Sequence, residues 1–109
     1  MNTQTKYHFF GDRSKARTIV ITFATVKESN SNIVKFSFSC SNINDIFDKA
    51  YGKMKALARI NSTNLSFEFE LDSETISEYR TVNNYLANFV LDNLKLFPSW
   101  AKNIVKRNV

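Results

Sequence analysis

The sequence predicts a small α+β domain: one mixed, mainly antiparallel sheet of about four strands packed against two helices, in the order β-β-β-α-β-α with a short C-terminal helix. Three observations carry that expectation. Val34 to Cys40 and Leu65 to Leu71 alternate apolar and polar residues with the period of two that gives a strand one buried face. Between them, Ile43, Ile46, Phe47, Ala50, Tyr51, Met54, Leu57 and Ala58 recur at the i, i+3, i+4, i+7 spacing of a helix with one apolar stripe. Thr18 to Val26 is β-branched or aromatic almost throughout and apolar on both faces, the pattern of a central strand covered on both sides.

Taken in order, Lys6 to Phe10 is a short strand closed by the turn signal Gly11-Asp12. Either Tyr7 with Phe9 or His8 with Phe10 can face inward, so the strand is sandwiched or lies at a sheet edge. The polar connection Asp12 to Arg17 holds Arg13, Lys15 and Arg17 and leads into the central strand, and Lys27 to Asn32 reads as a hairpin loop. The first three strands therefore form an antiparallel meander. The helix after them starts at Ser41 or Asn42, both capping residues, with Asp45 placed as in a capping box. Asp45 and Asp48 suit its positive end, and Lys49, Lys53, Lys55 and Arg59 its negative end. Gly52 in that helix marks close approach of another backbone or a partner, or is a surface glycine.

A strand with the outward acids Glu68 and Glu70 follows, and the strand-helix-strand unit implies a right-handed crossover if its strands are parallel. Asp72-Ser73-Glu74 opens a second helix of about twenty residues. Ile76, Tyr79, Val82, Leu86, Phe89, Val90 and Leu94 form its buried stripe. Pro98 ends it, because the residue before a proline is biased out of the helical region. The last element, Ser99 to Arg107, sets Trp100 and Ile104 on one face, joined by Ala101 and Val105, with Lys102, Lys106 and Arg107 mostly off it; packing of the tryptophan on the core is the expected use.

Length and composition agree with one self-sufficient domain. The 109 residues are 43% hydrophobic and 23% charged, and no apolar run approaches the ~20 residues of a membrane span. The first residues lack the apolar core of a secretory signal, which makes a cytoplasmic setting the default. Cys40, the single cysteine, lies in the inward phase of its strand and reads as a small core hydrophobe.

Motifs for chemistry are missing. His8 has no metal-ligand spacing around it and reads as a structural or surface histidine, no nucleophile elbow or phosphate loop is present, and Glu68 with Glu70 is a solvated pair rather than an acid and a base. No enzyme activity, cofactor or metal is expected. The net charge of +5 is unevenly spread. Residues 1–60 hold ten basic and four acidic side chains, 61–79 five acids and no base, and 80–109 five bases and one acid. Such a pattern suits an acidic protein surface or a polyanion.

Two functions remain. The first is a non-catalytic protein-binding module, an inhibitor or adaptor such as a phage or mobile element carries against a host machine, using the contrast between the acidic strand and the basic helix. The alternative is nucleic-acid binding through Arg13, Lys15, Arg17, the helix cations and Lys102, Lys106 and Arg107. The element order is not the βαββαβ of the RNA-recognition fold, and no RNP-type aromatic strand is present.

Overall fold

The computed structural model describes residues 3–11, 19–41, 48–62, 64–72 and 78–105. Four strands, β1 (Thr3–Gly11), β2 (Val20–Glu28), β3 (Ile33–Cys40) and β4 (Phe67–Glu70), form one open sheet in the order β1-β2-β3-β4. All three pairings are antiparallel. The first three strands are the meander that the sequence predicts. β3 and β4 are also antiparallel neighbours, so the sheet is not mixed and the helix between them, α1 (Lys49–Arg59), is no parallel crossover. α2 (Glu78–Asp92), the short turn η1 (Leu94–Leu96) and α3 (Ala101–Ile104) complete the chain.

Register sorts the side chains into two faces. Phe10 and His8 stand opposite Ile21 and Phe23, which stand opposite Cys40 and Phe38, and Phe36 stands opposite Phe67. That face is the core. Phe36 sits among the rings of Phe67, Phe69, Tyr85 and Phe89 at centroid distances of 5.6, 5.8, 5.9 and 5.0 Å. Val82, Leu86, Ala87 and Val90 of α2 close it, with Ala101, Val105, Trp100 and Ile104 from the C-terminal end. The expected stripe of α2 therefore holds at Val82, Leu86, Phe89 and Val90, as does the packing of Trp100. Ile76 lies outside the described residues, and Tyr79, expected in the stripe, is about half exposed at its margin.

α2 stops before the proline does its work. Asn93 leaves the helical region, and its side-chain amide donates to the Phe89 carbonyl at 2.9 Å, so the expected run of about twenty residues ends at Asp92. Leu94, placed by periodicity in the buried stripe, is instead exposed in η1. Phe97 is extended, as the residue before Pro98 should be, and turns into the core to stack on Phe38 at 4.3 Å.

The other face of the sheet is small and partly polar: Val20, Thr22 and Ala24 of β2 beside Ser37 and Ser39 of β3, all buried. α1 covers it. Every residue from Val20 to Thr25 is buried, because β2 has a strand on each side and a helix layer above and below. At the end of β1, Gly11 takes φ +131°, and a Cβ there would collide with the Ile19 carbonyl, so the predicted turn residue is required by both conformation and space.

Candidate interaction surfaces

α1 is turned over relative to its periodicity. Asp48 caps it, accepting from the Tyr51 N–H at 3.1 Å, and Arg59 stands in its last turn, as charge–dipole matching favours. Ser41 does not cap it. Its hydroxyl accepts from Val20 N–H at 2.8 Å while its own N–H donates to the Val20 carbonyl at 2.9 Å, so it prolongs the β2–β3 ladder; Asn42 and Asp45 lie outside the described residues. The helix sets Gly52 and the fully buried Ala56 toward the sheet, and the Ser39 hydroxyl donates to the Gly52 carbonyl at 2.9 Å. The expected inward residues face out: Met54 is 60% exposed, Tyr51 54%, and Leu57, Ala50 and Ala58 are exposed with them. Ile43, Ile46 and Phe47, the start of that stripe, lie outside the described residues.

The cations of α1 turn the other way. Lys49 Nζ lies 5.3 Å from the ring centre of Phe9 and Lys53 Nζ 4.8 Å from that of Tyr7, both in the cation–π range. Lys55 lies 5.3 Å over Tyr51, and the Arg59 guanidinium donates to the Phe38 carbonyl at 2.9 Å. Lys49, Lys53 and Arg59 thus reach toward the strands, while Lys55 stays with Tyr51 on the outward side. Glu68 and Glu70 are exposed on the short edge strand β4, with Glu68 directly opposite Lys35. By register these acids share the α1 side of the sheet. Of the remaining predicted surface residues, Lys102 is exposed on α3, and Arg13, Lys15, Arg17, Lys106 and Arg107 lie outside the described residues.

A second feature escaped the sequence. His8 faces the core side, fully buried, its Nδ1 3.0 Å from Asn83 Oδ1 and its ring stacked on Tyr79 at 4.1 Å. It lines a small cleft with Gln4, Lys6, Thr25, Lys27 and Glu78, with room for about one water. Its Nε2 has no hydrogen-bond partner there. Burial lowers the His8 pKa, the Asn83 hydrogen bond opposes that in part, and the Lys6 charge adds to it. Glu78 bridges Lys6 at 3.3 Å and Lys27 at 3.6 Å. The signal for this arrangement was the inward alternative for His8, but its partners Tyr79 and Asn83 are more than seventy residues away.

Cys40 is half-buried against the core, and burial pushes its thiol up to about 11, so at neutral pH it is a protonated, unreactive side chain. Among the described residues no three His, Cys, Asp or Glu side chains stand close enough to hold a metal, and no helix is long and apolar enough to cross a membrane. No protein-family model matches the chain, and neither a curated protein nor a solved structure shows significant similarity to it.

Proposed function

We propose that this protein is a non-catalytic binding module whose ligand is another protein, held on the outward face of α1. The observation that carries the reading is the reversal of that helix: Tyr51, Met54 and Leu57 form an exposed apolar stripe while the cations beside it are drawn toward the sheet. Exposed apolar residues grouped on one element are costly in water and are the usual anchor of a protein contact. Lys55 flanks the stripe, and Glu68 and Glu70 stand on the same side of the sheet, so a partner with an apolar groove and charges of both signs at its rim fits this surface. An inhibitor or adaptor role belongs to this class.

Nucleic-acid binding is the competing outcome. It is less favoured because the outward stripe of α1 is apolar, and Glu68 and Glu70, exposed on the same side of the sheet, repel a polyanion. The test is affinity capture of a partner from the native host, followed by titration of that partner with wild type and Met54→Glu, each at two salt concentrations. Met54→Glu should fold normally and bind at least about tenfold more weakly, as loss of a buried anchor does. Tight, steeply salt-dependent binding of wild type to plain DNA or RNA, unchanged by Met54→Glu, would reject the reading.

A further inference from the structure

The nine residues of β1 form one edge of the sheet, and among the described residues no strand pairs with the side turned away from β2. The register tells which backbone groups face outward. Val20 bonds to Ser41 across the β2–β3 ladder, so its backbone points toward β3. Alternation then turns Ile21, Phe23, Thr25 and Lys27 toward their partners Phe10, His8, Lys6 and Gln4 in β1, and leaves the N–H and C=O groups of Thr3, Thr5 and Tyr7 facing away from the sheet. Tyr79 marks that side: its hydroxyl donates to the Tyr7 carbonyl at 3.3 Å, in the position a neighbouring strand would use.

This edge is cationic. On the α1 side Lys49 and Lys53 lie over Phe9 and Tyr7, and on the core side Lys6 stands in the strand itself with Lys27 behind it. Of the described acids near it, Glu78 is shared between Lys6 and Lys27, Glu28 stands opposite Thr3 at the far end of the strand, and Asp48 caps α1. We propose that the β1 edge takes up an extended acidic segment of another protein as an added strand. Backbone hydrogen bonds from Thr3, Thr5 and the Tyr7 N–H supply the pairing, and Lys6, Lys49 and Lys53 select acidic side chains on both faces of the incoming strand. Lysines on an edge deter neutral and basic strands. A second copy is disfavoured for the same reason, since β1 against β1 sets the lysines of the two copies face to face. The surface is separate from the outward stripe of α1.

The test uses the full chain and two synthetic extended peptides matched to the length of β1, one repeating Thr-Thr-Glu-Glu and the other Thr-Thr-Lys-Lys, so that each presents its charges on both faces of a strand. The acidic peptide should bind at least about tenfold more tightly than the basic one, and its binding should slow amide exchange at Thr3, Thr5 and Tyr7. Thr5→Pro removes an outward N–H and no bond of the β1–β2 ladder, so it should keep the fold and lose the binding. Should Thr5→Pro melt early, Lys49→Glu with Lys53→Glu carries the test by reversing the preference toward the basic peptide. Met54→Glu should leave peptide binding unchanged, which separates this edge from the α1 surface. Failure of the acidic peptide to bind, equal binding of both peptides, or binding that a folded Thr5→Pro retains overturns the proposal. Single-stranded oligothymidine bound as tightly as the acidic peptide would assign the cations to nucleic acid, and self-association abolished by Thr5→Pro would assign the edge to a second copy; either result also overturns it.

Discussion

His8 is the residue whose chemistry depends most on the fold. In the unfolded chain it titrates near its ordinary value, whereas burial against Tyr79 and Asn83 lowers its pKa in the folded protein. The unfolded chain therefore binds the proton more readily. Stability from this group is fully present above the unfolded pKa of about 6.5, declines as pH falls from there toward the lowered folded value, and changes no further below it. The charged groups facing it are Lys6 and Lys27, with Glu78 bridging the two. Urea midpoints measured from about pH 7.5 down to about pH 5 should fall for wild type and stay flatter for His8→Gln. Equal slopes for the two proteins would show that His8 is not the group responsible. The sequence left two phases open for this strand. Only the distant α2 residues Tyr79 and Asn83 decide that the imidazole is a buried, neutral ring.

At the scale of the element, α1 shows why an apolar stripe does not name its own burial site. The sheet face it covers is lined by Thr22, Ala24, Ser37 and Ser39, side chains too short to receive a row of Tyr, Met and Leu. Gly52 and Ala56 let the helix sit close enough for the Ser39–Gly52 hydrogen bond, and the lysine stems spread over Tyr7 and Phe9 at the margin. The aromatic face, which suits a bulky stripe, is taken by α2 and the chain end. A stability comparison checks this directly. Ala56→Leu should cost about 1–3 kcal/mol by overpacking, and Met54→Glu should stay within about 0.5 kcal/mol of wild type as surface changes do. Urea denaturation of both variants is the measurement, and the opposite order would restore the orientation that periodicity implies.

Across the whole molecule, protection should follow the layering. β2 has a paired strand on each side and a helix layer on each face, so its amides should exchange only through near-global unfolding. β4 has four residues and one neighbour, and α3 has a single turn, so both should open at lower free energy. Native-state hydrogen exchange read residue by residue checks the order; exchange in β2 as fast as in β4 would mean that the sheet is not the unit of cooperativity. The same layering leaves β1 and β4 at the two edges and the apolar side of α1 in solvent, and these are the surfaces on which the two proposals rest.

Strand identity was legible because alternation and β-branching are local properties: Val34, Phe36 and Phe38, and Phe67 and Phe69, face inward as their period of two requires, and Gly11 ends β1 where only glycine fits. The central place of β2 was legible from apolar residues on both its faces. Of the candidate surface, Glu68 and Glu70 were placed outward correctly, but the cations from Lys49 to Arg59 read only as matched to the helix dipole and as a basic binding surface, since nothing in their spacing announces Tyr7, Phe9 or the Phe38 carbonyl. Tertiary structure alone decided that β3 and β4 run antiparallel, that Phe97 fills the core, and that α1 buries Gly52 and Ala56 in place of Tyr51 and Met54. Periodicity defines the faces of an element, but the shape and polarity of its neighbour determine which face is buried, and here two helical layers meet two unlike faces of one sheet, only one of them aromatic.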